Sequence, residues 1–367
     1  MDIAEVDLDC LFRPIRIKSL DLPNRIVMAP MTRGLAPGGT PGLAHANYYA
    51  RRAMGGVGLV ITEGTVIDRP AAKDEPNVPH FYGEALEGWK QVIDAVHGAG
   101  GKIAPQLWHA GASPKRPRGD WAPQPVDSPS GVAFDFECRS KPMSDAAIAD
   151  AIDGFARSAA AAQALGCDAI ELHGAHGYLI DQFFWEKTNL RGDAWGGPGL
   201  DERSRFGLEV IKAVRAAVSP DMVLSMRLSQ WKIQDYTAVL APTPDALAAW
   251  LEPMVDAGVD LFHCSLRRFW TPEYEGSDLN LAGWTKKLTG KPTIAVGMVG
   301  LGQGDFHYMD QSFEHMATLA HMMERGDFDL IAVGRMLIAN PEWPRLMREG
   351  RYSELRDFDR STMGELI

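Results

Sequence analysis

Cys167-Asp168-Ala169-Ile170-Glu171-Leu172-His173-Gly174-Ala175-His176-Gly177-Tyr178 is the stretch that decides the fold. A short apolar run that reads as a buried strand ends abruptly in two imidazoles and a phenol, with Asn189, Arg191 and Asp193 close behind. Polar rings are costly inside a core, and α/β proteins gather their chemistry at the C-terminal ends of parallel strands. The stretch therefore predicts a strand whose end, and the turn just past it, carry a site.

Working outward, the same kind of run occurs eight times: Ile26–Ala29, Gly58–Thr62, Lys102–Leu107, Ala169–His173, Met222–Arg227, Leu261–Cys264, Thr293–Val296 and Leu330–Val333. Runs without polar alternation suit parallel strands buried on both faces. Between them lie segments of helical period. Ile148, Ile152, Phe155, Ala159 and Ala162 recur at spacings of three and four behind a candidate N-cap, Ser144. Leu86, Trp89, Ile93 and Val96 repeat the pattern earlier, as do Phe206, Val210, Val214 and Val218 later. Eight such units without an internal linker predict an α/β fold, a single closed (β/α)8 TIM barrel over residues 1–367. A doubly wound open sheet is the rival, disfavoured because no dinucleotide glycine fingerprint follows the first strand. Residues 11–25 read as a short β-hairpin closing the bottom of the barrel. Residues 110–143, rich in Pro, Gly and Ser, read as a long loop after the third strand, on the face where loops carry function.

Composition narrows the function. A net charge of −11 and the scarcity of Lys/Arg runs argue against nucleic acid or an anionic membrane as partner. No apolar run reaches transmembrane length, and Met1-Asp2-Ile3-Ala4-Glu5 is not a basic leader, so a cytoplasmic protein is expected. Cys10, Cys138, Cys167 and Cys264 form no C-x-x-C pair, which speaks against a disulfide framework or a thiolate cluster. His173 and His176 have H-x-x-H spacing but neither a third nearby ligand nor the H-E-x-x-H context, so no metal is expected. Two satisfied core histidines are the blander alternative. Asn189, Arg191 and Asp193 read as a polar turn that supports the strand end, with Arg203 and Arg205 in the same network.

Several motifs carry a resemblance: Pro14 to Arg33, Gln106-Leu107-Trp108-His109-Ala110-Gly111, the opening stretch with Asn189 to Gly197, Arg203-Ser204-Arg205-Phe206, Met226-Arg227-Leu228-Ser229 and Ala332-Val333-Gly334-Arg335. In this order, from about residue 11 to about residue 350, they resemble the old yellow enzyme family. The resemblance implies FMN at the barrel mouth, NADH or NADPH as electron donor, and ping-pong reduction of activated alkenes, with the double bond conjugated to a carbonyl or nitro group. It assigns FMN to Pro30, Met31, Thr32, Gly64, Gln106, Arg227, Gly297, Gly334 and Arg335. Gln106 would pair with the pyrimidine edge of the isoalloxazine, Arg227 would stabilise its reduced anion, and Thr32 would sit beside its C4 carbonyl. Gly297 and Gly334-Arg335 end the seventh and eighth strands, where barrels commonly bind phosphate; tight turns are the alternative.

Reducing an activated alkene requires a hydride on one carbon, a proton on the other, and donors to the activating oxygen. His173 and His176 are the expected donors, and Tyr178, protonated at neutral pH, the expected acid. Trp108, two residues beyond Gln106 on the same strand face, would wall the substrate pocket. Trp270, in the loop Leu266 to Tyr274, would belong to a substrate lid or pack against a neighbouring subunit of a homo-oligomer. The chain departs from the family's branches: one pairs H-x-x-H with Cys, where Thr32 stands here, and another pairs Thr and Trp with H-x-x-N, where His176 stands here. Substrate range therefore carries over from neither. A flavin barrel run in the dehydrogenating or dealkylating direction, or a redox-responsive FMN-binding protein, is the functional rival.

Overall fold

The computed structural model describes residues 3–112, 126–133, 135–304 and 307–367. Eight parallel strands close into a barrel: β1 Ile26–Met28, β2 Leu59–Val66, β3 Lys102–Trp108, β4 Ala169–His176, β5 Val223–Lys232, β6 Leu261–Ser265, β7 Thr293–Val296 and β8 Leu330–Val333. Each hydrogen-bonds to its neighbours in chain order, and β8 returns to β1 through Ile331 opposite Ile26. The helices between them are α1 Leu43–Met54, α2 Ala85–Gly98, α3 Asp145–Leu165, α4 Arg205–Ala217, α5 Pro244–Ala257, α6 Leu281–Thr289 and α7 Met316–Arg325. All eight expected runs are barrel strands.

Local chemistry explains the elements. Ser144 caps α3 by accepting the Ala147 N–H, and Ile148, Phe155, Ala159 and Ala162 of that helix are fully buried against the barrel. β4 and β5 run beyond their apolar cores, to His176 and Lys232, because the register shifts between Gly174 and His176 and the pairing then resumes. The extension carries polar residues to the mouth of the barrel.

The interior of the barrel is graded. At its N-terminal end Val27, Leu59, Ala104, Ala169, Val223, Leu261, Ile294 and Leu330 form one apolar cluster with Ile17, Leu20 and Leu22. Those last three belong to the expected hairpin, Ile15–Ile17 paired antiparallel with Leu20–Leu22. The hairpin is tied down by Lys18 Nζ on the Pro220 carbonyl (2.9 Å) and Ser19 Oγ on the Asp221 carbonyl (2.7 Å). On four of the strands the same inward face turns polar two residues further along: Ala104 is followed by Gln106, Ala169 by Glu171, Val223 by Ser225 and Leu261 by His263. The barrel is thus plugged by hydrocarbon at one end and lined by polar groups at the other.

One feature lies outside the expectation. Leu301–Gly304, Tyr308–Gln311 and Phe358–Asp359 form a small antiparallel sheet beyond β7. In the long connection after β3, residues 113–125 and 134 lie outside the described residues, while Asp127 and Ser128 are buried. Among the described residues all four cysteines are free, and no helix is long and apolar enough to cross a membrane.

Leu20 is 1% exposed within the plug, so Leu20→Ala should remove about 2–4 kcal/mol of stability. Chemical denaturation checks this; a loss below about 1 kcal/mol would show that the hairpin is not part of the core.

Candidate active site

The polar layer begins with Glu171 on β4. Its carboxylate is fully buried and accepts from Gln106 Nε2 (2.8 Å), Ser225 Oγ (3.1 Å) and His263 Nδ1 (2.8 Å), drawn from β3, β5 and β6. Burial pushes its pKa up, but His263, the Arg227 guanidinium and the Gln106 amide together draw it below the usual carboxylate value. Glu171 is thus ionised, while burial lowers the pKa of His263, which donates as a neutral imidazole.

Gln106 has one amide hydrogen committed to Glu171. Its Oε1 therefore points the other way, toward Gly64, where a Cβ would come within 3.5 Å of it and 3.4 Å of the Trp108 ring. Gly64 keeps that space open between two functional side chains, as their shared face predicts. The next layer up aligns His173, Arg227 and His263 across β4, β5 and β6. Arg227 is 7% exposed, and its Nε is buried without a partner among the described residues. Burial lowers its pKa, opposed by Glu171, and the unused donor suits an acceptor brought by a ligand.

The ring cluster sits where β4 ends. The His173 ring lies 5.0 Å from Tyr178 and 5.2 Å from His176, and Trp108 stands edge-on to Tyr178 at 5.0 Å. His173 Nδ1 accepts the Ala175 N–H (3.3 Å), which leaves the proton on Nε2. Burial, then the charge of Arg227, pushes the pKa of both imidazoles well below its ordinary value, so each is a neutral donor at pH 7. His176 Nε2 lies 2.8 Å from Ser265 Oγ, and its ring stacks on Trp231 at 4.5 Å. For Tyr178, burial and the nearby Asp74 raise the phenol above 10.0, so it keeps its proton. No group of three or more His, Cys, Asp or Glu among the described residues could hold a metal.

The remaining expected residues divide into two places. Pro30 and Met31 are half-buried on the loop after β1, and Thr32 is exposed there. A Cβ on Gly334 would meet Met31 Sδ at 3.4 Å, which places that loop against the end of β8. Behind Thr32, Glu63 of β2 accepts the N–H groups of Arg33 (2.8 Å) and Gly34 (2.9 Å), and burial raises its pKa to about 7. Gly297 packs so closely that a Cβ would lie 2.7 Å from the Leu266 carbonyl. Arg335 contacts Met298 Sδ at 3.6 Å and has no carboxylate partner among the described residues. Trp270 stacks on His315 at 3.5 Å and lines a cavity of about 570 Å³ with Arg268, Thr271 and Met298; its ring contacts are Phe269 and His315, not the cluster around Tyr178.

The supporting residues act as expected. Asn189 Nδ2 donates to the Phe183 and Trp195 carbonyls, Arg191 pairs with Asp193 and reaches Pro129 and Met143, and Arg203 donates to the Phe184 carbonyl. His109, in the motif after β3, binds Asp127 through Nε2 (2.8 Å), while its carbonyl accepts the Leu179 N–H (3.1 Å). Glu171, His263, Glu63, Ser265 and Trp231 were not singled out from the sequence. Glu171 had a signal there, lying two residues before His173 on its own strand, whereas His263 is marked only by standing opposite Arg227 in the register.

A profile of the NADH:flavin oxidoreductase / NADH oxidase family matches residues 10–354. The chain is 34% identical over 357 residues to NADH oxidase of Thermoanaerobacter brockii, covering 94% of this chain and 52% of that one, and so spans about half its length. It is 34% identical over 347 residues to 12-oxophytodienoate reductase 7 of Oryza sativa subsp. japonica, covering 90% and 86%. Among solved structures, morphinone reductase in complex with tetrahydroNAD superposes with a TM-score of 0.79 at 29% identity, covering 96% and 93%.

Asp127 anchors the turn after β4 through His109. Burial pushes its pKa up, but hydrogen bonds from Arg69 and His109 outweigh this and hold it at about 2, against 3.8 for a free aspartate. A depressed pKa stabilises the fold above the unfolded value and ceases to do so as pH falls through the folded one. Asp127→Asn should therefore cost about 2 kcal/mol at pH 7 and flatten the decline in stability between pH 3.8 and about 2. Denaturation midpoints across that window are the check; parallel curves for variant and parent would contradict it.

Proposed function

Because the chain belongs to the NADH:flavin oxidoreductase / NADH oxidase family, the old yellow enzyme family of the sequence reading, we propose that it reduces a carbon–carbon double bond conjugated to a carbonyl or nitro group, with electrons from NADH or NADPH. The observation that carries this reading is the Tyr178–His173–His176 cluster standing over an ionised Glu171 with Gln106 and Arg227 beside it.

Family membership implies FMN, and the residues at the mouth fit it. Gln106 offers an acceptor oxygen and a remaining N–H to the pyrimidine edge, and Arg227 offers an unused buried donor and a positive charge for the reduced ring. Gly297, Gly334 and the carboxylate-free Arg335 suit a phosphate. Gly64 leaves room beside Gln106, and Pro30, Met31 and Thr32 border the site from β1. When bound, FMN supplies the exchange of hydride between nicotinamide and alkene.

The chain's own groups supply the rest. His173 Nε2–H donates to the activating oxygen of the alkene, and its neutrality lets it stabilise developing enolate charge without surrendering a proton. In this proposal the Ser265 hydroxyl, 2.8 Å from His176 Nε2, donates to it, which leaves the proton of that ring on Nδ1 as the second donor. Tyr178, its phenol held protonated, delivers the proton to the α-carbon. Trp108 walls the pocket beside Tyr178, with its indole N–H unpartnered among the described residues.

Tyr178→Phe should slow oxidation of the reduced protein by 2-cyclohexenone roughly 10²–10⁴-fold and leave reduction by NADH or NADPH within about twofold. Stopped-flow of the two half-reactions separates these; equal loss in both would overturn the assignment. Glu171→Gln removes the carboxylate that orients Gln106 and balances Arg227, so FMN affinity should fall about tenfold, roughly 1.4 kcal/mol. Fluorescence titration of the flavin-free protein measures it, and an unchanged affinity would remove Glu171 from the cofactor site.

A further inference from the structure

We propose that Lys232 and Asp181, a fully buried ion pair behind the mouth of the barrel, are positioning residues that hold the turn His176-Gly177-Tyr178 and thereby aim the proton donor. The inference rests on the assignment of Tyr178 as that donor.

Lys232 is the last residue of β5 and Asp181 lies in the first turn of the short helix Leu179–Phe184; neither side chain is exposed. Lys232 Nζ stands 2.8 Å from Asp181 Oδ1 and donates to the Ser229 carbonyl at 3.0 Å. Asp181 Oδ2 accepts the Gly177 N–H at 2.7 Å, and Ser229 Oγ accepts the His176 N–H at 3.0 Å. The backbone donors of His176 and Gly177 are therefore gripped by groups that Lys232 ties together, while the Tyr178 N–H goes to the Ala175 carbonyl.

The turn needs such a grip. His176 and Gly177 are both left-handed, at φ 67° and 81°, and His176 carries a side chain that disfavours that region. Relaxing His176 to an ordinary path would swing its ring away from Ser265 and Trp231 and move Tyr178, the next residue but one. Two apolar side chains could fill the same space without the cost of desolvating two charges. What the ion pair adds is a charge-assisted acceptor at one chosen N–H.

The charges around the pair are few. On Asp181 bear Lys232 and the Gly177 N–H, and on Lys232 bears Asp181. His176 on β4 feels Lys232 along with Arg227, His173 and His263, while Tyr178 feels Asp74, Arg227 and Glu75. Removing the ammonium leaves a buried carboxyl that protonates readily and loses its grip on Gly177 as pH falls.

Lys232→Met tests this by two routes. Hydrogen–deuterium exchange in the peptide containing Gly177 should rise about tenfold, a readout independent of turnover. The half-reaction with 2-cyclohexenone should fall between tenfold and a hundredfold, with reduction by NADH or NADPH unchanged. That half-reaction should also gain an acidic limb in its pH profile that the parent lacks. Should the single variant fail to fold, Lys232→Met with Asp181→Asn replaces the pair by neutral groups of similar shape. The double variant should keep the raised exchange and the slow enone step but show no acidic limb. Parental exchange and parental enone rates in either variant, an equal loss in both half-reactions, or a double variant that cannot fold would each overturn the proposal. If Tyr178→Phe leaves the enone step intact, the proton-donor assignment fails instead, and the exchange measurement still reports whether the pair holds the turn.

Discussion

A single ionised carboxylate inside the barrel, that of Glu171, is the constraint on which the mouth of this protein depends. It organises side chains from β3, β5 and β6 and offsets the charge of Arg227. The two charges act on each other at a distance rather than in contact, and each offsets part of the cost of burying the other. Because Glu171 takes one Gln106 amide hydrogen, the direction of the Gln106 oxygen follows. The position of the carboxylate thus decides what the barrel presents to a ligand.

The gradation beneath Glu171 is what makes such a site affordable to the fold. Strand periodicity sends every second residue inward, so the apolar layer of Ala104, Ala169 and Val223 and the polar layer of Gln106, Glu171 and Ser225 lie two residues apart on the same strands. The hairpin seals the lower end against water. Stability and chemistry are thereby separated along the barrel axis, as parallel barrels allow.

Much of this was legible in the residues. Continuous apolar runs without alternation announced all eight strands, and Ser144 before a helical period announced the start of α3. The polar turn Asn189 to Asp193 could be read as support, because such side chains commonly satisfy backbone groups. What stayed hidden depends on pairing between distant segments. Nothing local marks Lys232 as the partner of Asp181, or Glu63 as the anchor of the loop holding Thr32. The small sheet that joins Tyr308–Gln311 to Phe358–Asp359 is too short for periodicity to register. Trp270 drew attention for its aromatic surroundings, yet it stacks on His315 beside the Gly297 loop, a neighbour that its own segment does not reveal.

In the proposed reaction two donors that stay neutral would activate a carbonyl or nitro group, and one acid that stays protonated would protonate carbon. Passage of electrons from a reduced nicotinamide to an activated alkene through bound FMN, the proposed activity, can be followed by anaerobic titration of the FMN-loaded protein. Addition of NADH or NADPH should bleach the flavin absorbance, and subsequent 2-cyclohexenone should restore it with one equivalent of saturated ketone formed. A flavin that neither nicotinamide bleaches, or that stays bleached in the presence of enone, would contradict the account.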